Sequence, residues 1–270
     1  MRWLMFGRVE SIGRVFAEME RGLTTYARYR IWLFSDLMSW PFWTIFFFLS
    51  FLMYSPSLLA SQYHLNAFSW AFFTFIFVSS FIWSSVFLAT SAQEGILEYV
   101  LLTGSSVRQH MLGRMVISIL DVAVGGPALL LISAVGFGTR LSVAYPALMV
   151  VSLAVAGVFF YIFSSILAVL LVSLRSPWII INVAQFVIPF TSGAIPVEAL
   201  PPEIQGAVLY SPFFYIIHPI IASATGLFFI PPEIVLPVGG LLCLAIYIVG
   251  RFLEKVLLRR ALRRGKFTLF

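Results

Sequence analysis

The hydrophobic pattern of this chain is dominated by a long segment without charge. Residues 37–93 are 57 consecutive positions without Asp, Glu, Lys or Arg, and they are rich in Phe, Trp and Leu. A membrane-spanning helix needs about 20 predominantly apolar residues. Polar and proline residues interrupt the segment once, between positions 55 and 66. The pattern therefore predicts two spanning helices, near residues 37–54 and 67–90.

Four further apolar stretches follow, at residues 115–135, 145–172, 178–190 and 234–250. Together they predict an all-α integral membrane protein with six transmembrane helices, which form a transmembrane domain over residues 37–254. Between the fifth and sixth stretches, residues 193–232 contain too many prolines for an ordinary span.

Composition agrees with a membrane protein. Hydrophobic residues make up 61% of the chain and charged residues 10%, with a mean hydropathy of +1.00, whereas soluble domains average about 25% charged residues. The single cysteine, Cys243, lies in an apolar stretch and excludes a disulfide within the chain.

The basic residues predict the orientation. Six spans place both termini on one side, where 16 of the 17 Lys and Arg residues then fall, with Arg140 alone opposite. The positive-inside rule makes that side cytoplasmic, so we expect a multi-pass plasma-membrane protein and no nucleic-acid partner. Residues 255–270 are a basic cytoplasmic tail. This tail suits binding to anionic membrane lipid, and contact with a protein partner is the alternative.

Two cytoplasmic segments show helical periodicity. In residues 1–36, apolar side chains recur at three- and four-residue spacing, which predicts a cytoplasmic amphipathic interface helix; they are Val9, Ile12, Phe16, Met19, Leu23 and Tyr26. In the cytoplasmic loop of residues 91–114, positions 96–102 predict a short helix with one apolar and one acidic side. That helix is either a docking element or a solvated connector, and its apolar residues favour docking.

The proline-rich segment after the fifth span predicts two short helices. Ser192 and Gly193 end the fifth helix, and the Pro201-Pro202-Glu203 sequence is typical of a helix start. Pro212 ends that helix, and a second apolar piece runs to about Gly226. Irregular backbone at membrane depth needs cover by protein or water. We therefore expect two half-inserted helices on the outer side, as a lid or a re-entrant hairpin.

These segments resemble a known family. Residues 94–114 read Glu-Gly-Ile-Leu-Glu, then Leu-Leu-Thr-Gly, then Gly-Arg, which is similar to the loop pattern of ABC-2 type transporter permeases. Residues 192–201, Ser-Gly-Ala-Ile-Pro then Leu-Pro, and residues 210–215, Tyr-Ser-Pro-Phe-Phe-Tyr, resemble the family's outer signatures. The chain departs from the pattern at Gly104-Ser105, which replace a proline, at Arg114, which replaces Lys, and at Ser211, which replaces Asn.

The resemblance implies one permease subunit of an ATP-driven exporter. A second permease subunit, identical or different, would complete the pathway, and a separate ABC ATPase subunit would bind ATP and magnesium. The ATPase contact implied comprises Glu94, Gly95, Ile96, Leu97, Glu98, Leu101 and Leu102. The outer gate segment implied comprises Ser192, Gly193, Pro196, Pro201 and Pro212. The chain has no phosphate-binding Gly-x4-Gly-Lys-Ser/Thr sequence, so we expect no enzymatic activity, catalytic residue, metal or cofactor of its own.

Three polar residues lie within predicted spans. Asp121 is a candidate for the pathway, with pairing to Arg114 or to lipid headgroups as the alternative. Asn182 and Gln185 either face the pathway or hydrogen-bond between helices.

The cargo stays open at this level. We expect a hydrophobic or amphipathic substrate, a drug or a lipid, with a polysaccharide or glycolipid as the alternative. An intramembrane enzyme, such as a protease or lipid transferase, would need clustered His, Glu or Asp residues or a nucleophile inside the membrane. The predicted spans contain one Asp and no His or Glu, which argues against this class. A channel or assembly subunit would leave the short cytoplasmic helix unexplained.

Overall fold

The computed structural model describes residues 2–28, 30–54, 61–102, 105–172, 177–195, 197 and 200–263. These residues contain no strand and form ten helices. In chain order they are α1 (Arg2–Arg28), α2 (Arg30–Tyr54), α3 (Gln62–Gln93), α4 (Ile96–Leu102), α5 (Val107–Phe137), α6 (Pro146–Val172), α7 (Pro177–Phe190), α8 (Pro202–Leu209), α9 (Phe214–Thr225) and α10 (Pro232–Arg263).

Four helices are long and apolar enough to cross a membrane: α3, α5, α6 and the Pro232–Leu253 part of α10. Helices α8 and α9 meet at 116° and would add a fifth span if they were counted together, or form a re-entrant loop. Met38–Ser50 in α2 and the whole of α7 are apolar but shorter. By length and composition, the described chain is thus a membrane-embedded helical protein with four spanning helices, or five with the bent pair.

Helix α3 is the centre of the bundle. It packs against α5, α6, α7 and α9. Of the residues in its most apolar 18-residue segment, 83% are buried, as expected for a helix that is hydrophobic on all sides. Serine hydroxyls join its neighbours to it: Ser118 of α5 donates to the Ser80 carbonyl at 2.8 Å, and Ser164 of α6 donates to the Phe81 carbonyl at 2.7 Å. Small polar residues of this kind are typical of helix contacts in membranes.

Glycines in α5 receive aromatic rings from two other helices. A Cβ atom on Gly125 would lie 2.8 Å from the Trp40 ring, and one on Gly126 would lie 2.6 Å from the Phe73 ring. Both distances are too short for a real side chain, so α2 and α3 can approach α5 this closely only because these positions are glycine.

The two ends of the bundle differ. At the α4 end, α3 stops, α4 follows, and α5 begins with a capping box between Ser106 and Gln109. At the opposite end, the loop after α5 is bound by α3, because Asn66 exchanges two hydrogen bonds with Ser142. The same loop pairs with the last turn of α9, since Tyr145 N–H donates to the Ser223 carbonyl at 2.9 Å.

Two helix boundaries differ from the predicted segment boundaries. Helix α1 ends at Arg28 and α2 begins at Arg30, so the predicted boundary at residues 36 and 37 falls inside α2. The charged residues at the start of α2 do not end the helix. Helix α10 continues to Arg263, well into the predicted tail, and residues 264–270 lie outside the described residues.

Candidate functional site

Helix α4 turns back beneath the bundle at a glycine. Gly95, between α3 and α4, has a φ of +72°, a left-handed conformation that glycine adopts without steric cost. The side chains of Leu97 and Val100 then enter the bundle, 0% and 6% exposed. Leu97 packs in a cluster with Leu88 of α3 and Met111 of α5. Leu97 thereby holds α4 against the ends of α3 and α5.

The opposite face of α4 is open. Tyr99 is 72% exposed and Leu102 is 83% exposed, while Glu94 is also exposed and Ile96 and Glu98 are half-buried. Apolar side chains this exposed at the end of a bundle are typical of an interaction surface. We call Glu94, Glu98, Tyr99 and Leu102 the α4 surface.

This corrects the predicted contact set. Leu97 was expected to face a partner, but its side chain is buried inside the chain and fixes α4 to the bundle. Tyr99 was missed, although its spacing from Leu102 and from the buried Leu97 and Val100 indicates the outer face. The Leu101 side chain lies outside the described residues.

A polar cluster joins α1 to α5 at this same end. His110 is 0% exposed, and its Nδ1 lies 3.0 Å from Glu18 Oε2 and 3.1 Å from Arg21 Nη2. Arg21 also forms an ion pair with Glu18 at 3.0 Å. A ring nitrogen can donate to the carboxylate or accept from the guanidinium, but not both, so the cluster has two alternative hydrogen-bond patterns.

Electrostatics connect this cluster to the α4 corner. The pKa of Glu18 is lowered: burial acts to raise it, but the hydrogen bond with His110 and the charges of His110 and Arg21 outweigh burial. Arg114, one turn beyond His110 on α5, interacts with the charges of Arg21, Glu18 and Glu94. Helix α1 and the start of α4 are thereby linked through α5.

Helix α1 also packs closely on α5 through glycines. A Cβ on Gly113 would lie 2.5 Å from Glu18 Cβ, and a Cβ on Gly22 would lie 3.2 Å from the Gly113 carbonyl oxygen. Phe16 and Leu23 point away, 64% and 40% exposed. The polar side of α1 therefore contacts the protein and part of its apolar side is left uncovered, which is the orientation an interfacial helix needs.

The second candidate region is the α8–α9 pair. At its C-terminal end, α9 pairs with the start of α6 through Tyr145. At its N-terminal end, Phe213 stacks against Phe160 and packs edge-to-face against Phe163. These two rings lie about 20–25 Å further along α6 at 1.5 Å per residue. Helix α9 therefore runs deep into the bundle, and Ile216–Ala224 are all buried. It forms part of the core and is more than a peripheral lid.

The predicted gate residues occupy different environments. Ser192 and Gly193 are buried, and Gly193 has a φ of +71° with little room for a Cβ, because the Phe214 ring would lie 3.0 Å away. Pro201 precedes α8 and Pro212 lies between α8 and α9, both exposed. Pro196 lies outside the described residues. The structure thus brings Gly193 against α9, whereas Pro201 and Pro212 are exposed.

The three polar residues proposed for the pathway have protein partners. Asp121 accepts a hydrogen bond from Tyr26 Oη at 3.0 Å, which is a further link between α1 and α5. Gln185 accepts from Trp83 Nε1 at 2.6 Å and donates to Asn182 at 3.0 Å. Gln185 therefore forms a hydrogen bond between helices α7 and α3, which is one of the two roles predicted for it.

An apolar cleft opens between α2, α3 and the residues after α7. Its volume is about 320 Å³. The walls are almost wholly carbon, including phenyl rings from α2, α3 and α7: Phe46, Phe47, Phe68, Phe72, Phe75 and Phe190. Such a cleft suits an apolar molecule.

Searches for related proteins give no assignment. No protein-family model matches the chain, and no curated protein matches it significantly. Within the described ranges, no group of three or more His, Cys, Asp or Glu residues could hold a metal ion.

Proposed function

We propose that this chain is the permease subunit of an ATP-driven exporter of the ABC-2 type. In this proposal the α4 surface and α1 contact a separate ATPase subunit, and a second permease subunit completes the pathway. Nucleotide and magnesium are bound by the partner ATPase.

The observation that carries the proposal is the α4 corner. Helix α4 is fixed to the two longest candidate spans, α3 and α5, by buried Leu97, and Val100 is buried on the same side. Its outer face exposes most of the surface of Tyr99 and Leu102. A push on this face is transmitted directly to α3, the centre of the bundle. That is the arrangement needed to convert a partner's movement into rearrangement of the spans.

The proposed topology has six spans. Helices α2 and α7 join the four long candidates, and α8 with α9 form a re-entrant hairpin. The contact of α9 with Tyr145 supports an exit at the end of the bundle opposite α4, and the contact of Phe213 with Phe163 supports the depth of the hairpin. Both termini are then cytoplasmic, at the α4 end, in the plasma membrane.

The apolar cleft between α2 and α3 favours a hydrophobic or amphipathic cargo, a drug or a lipid. Its phenyl-rich walls offer dispersion contacts and almost no hydrogen-bonding groups. A sugar polymer would need polar partners that this cleft lacks.

The experiment is a pull-down on the α4 surface. The tagged full chain is purified from its native membranes, and the ATPase activity that accompanies it is measured. Removal of both exposed apolar side chains, Tyr99→Ala with Leu102→Ala, is expected to lower the co-purified ATPase activity at least tenfold, since a few buried aromatic and aliphatic anchors dominate interface energies.

The matched control is at the opposite end of the bundle. Tyr145→Ala with Leu141→Ala also removes one exposed Tyr and one exposed Leu and is expected to leave the ATPase activity unchanged. Equal co-purification by both double variants would contradict the proposal. Absence of ATPase activity from the unaltered chain would contradict it as well.

A further inference from the structure

A second cleft lies at the α4 end of the bundle, away from the α2–α3 cleft. Its volume is about 210 Å³. Three helices form its walls: α5, α6 and α10. The lining residues used below are Arg108, Leu112, Tyr161, Ser165, Tyr247 and Gly250.

Two hydroxyl groups in these walls are bonded within the protein. Ser165 Oγ donates to the Tyr161 carbonyl at 2.9 Å, and Tyr161 Oη donates to the Arg108 carbonyl at 3.4 Å. At the back of the cleft, Gly250 packs tightly on α6, where a Cβ would lie 2.8 Å from Ile166 Cδ1. What the walls offer to a ligand is therefore mainly carbon, which suits an alkyl chain.

One rim of the cleft is cationic and aromatic. Arg251 is exposed, and its guanidinium lies 6.0 Å from the ring centre of Tyr247. Tyrosine is enriched at the headgroup level of membranes, where one end is apolar and the other is wet. From position 251 to position 263, α10 carries five basic residues against one acid, Glu254.

We propose that this cleft binds an acyl chain of an anionic phospholipid, whose phosphate lies beside Arg251. The apolar walls select an alkyl chain, and the charge of the rim selects an acidic headgroup over a zwitterionic one. Occupancy joins α10 to α5 and α6 at the end that carries α4. The inference does not depend on the proposed exporter function, because it needs only the membrane-embedded bundle.

The test uses photoreactive lipids in vesicles. The full chain is reconstituted into phosphatidylcholine vesicles with a small fraction of phosphatidylglycerol or phosphatidylcholine that carries a diazirine in its acyl chain, and the labelled peptides are identified by mass spectrometry. We expect phosphatidylglycerol to label the peptides around Leu112, Tyr161 and Gly250 severalfold more than phosphatidylcholine does. Equal labelling by the two lipids would overturn the inference.

Two kinds of variant separate binding of the acyl chain from selection of the headgroup. Leu112→Trp fills the cleft and is expected to lower labelling by both lipids at least fivefold. Ile119→Trp, on an exposed part of α5 outside the cleft, is expected to leave it unchanged. If Leu112→Trp does not fold, Ser165→Met is used instead, because it fills the cleft with a larger apolar side chain from α6. Labelling that persists in a folded, filled variant would refute the site.

Removal of the rim charge tests selectivity alone. Arg251→Gln is expected to lower the ratio of phosphatidylglycerol to phosphatidylcholine labelling about fivefold, the effect of one basic residue at an anionic surface. The matched control is Arg140→Gln, because Arg140 is exposed in the loop after α5, at the opposite end of the bundle. This variant should leave the ratio unchanged. An unchanged ratio in Arg251→Gln would overturn the assignment of the phosphate position.

Discussion

At the scale of single residues, charge holds α1 to the bundle. Glu18, Arg21 and His110 form a compact cluster at the α1–α5 contact, with Tyr26 and Asp121 bonded further along. The lowered pKa of Glu18 means that its ionised form is stabilised in the folded protein. This stabilisation is fully present above the ordinary carboxyl pKa and is lost as the pH falls through the lowered value.

The carboxylate can be tested directly. Glu18→Gln keeps the size of the side chain but removes the charge that His110 and Arg21 bind. We expect faster hydrogen exchange over residues 13–28, corrected for intrinsic rates, and no further loosening when the pH is lowered. Glu20→Gln, exposed two residues away, is the matched control. If both variants exchanged alike, the cluster would not hold α1.

Two features of the structure favour glycine at position 193. Its positive φ disfavours any side chain, and the Phe214 ring would lie only 3.0 Å from a Cβ. Gly193→Ala is therefore expected to destabilise the protein by about 1–2 kcal/mol from the backbone alone, measured as a lower thermal midpoint in detergent. Gly206→Ala, where nothing lies within 4 Å, should instead raise the midpoint slightly, because alanine favours the helix. Equal midpoints for the two variants would contradict this account.

At the scale of elements, α1 and α4 form one connected structure at one end of the bundle. Helix α4 is anchored by apolar side chains, whereas α1 is held by charges and by a close backbone approach. The two attachments meet on α5, where Met111 packs in one cluster with Leu97, and His110 and Gly113 contact α1. We expect a disturbance of either helix to reach the other through α5.

The close approach of α1 and α5 gives an element-scale prediction. Gly113→Ala places a methyl group where Glu18 Cβ lies, so α1 must move away from α5. We expect faster tryptic cleavage after Arg21, with the rest of the chain intact. The control is Gly136→Ala on the same helix, whose nearest neighbour would lie 3.9 Å away. Unchanged cleavage in Gly113→Ala would show that α1 does not depend on this contact.

At the scale of the whole molecule, the orientation in the membrane follows from charge. Cysteine labelling in intact cells tests it, in a Cys243→Ala background. The side chains of Arg140 and Leu102 are exposed at opposite ends of α5. We expect Arg140→Cys to react with an impermeant maleimide from outside, and Leu102→Cys to react only after permeabilisation. The reverse result would invert the proposed topology.

The sequence alone determined the helical, membrane-embedded character of this protein. Uninterrupted apolar runs and the proline and glycine breaks are local signals, and burial in lipid requires every backbone group to be bonded within its own helix. The same signals placed the starts and ends of α4, α8 and α9 within a few residues. The boundary between α1 and α2 and the end of α10 were misplaced, because charges near a membrane surface do not end a helix.

Tertiary structure decided which side chains face inward. The sequence pattern could not separate Leu97, which anchors α4, from Tyr99, which it exposes, because both lie on a seven-residue helix with apolar residues around most of its circumference. Nor could it place His110 against Glu18, 92 positions away, or α9 inside the core. Those arrangements arise from packing between helices distant in sequence, where close approach at glycines and the pairing of buried charges select one geometry.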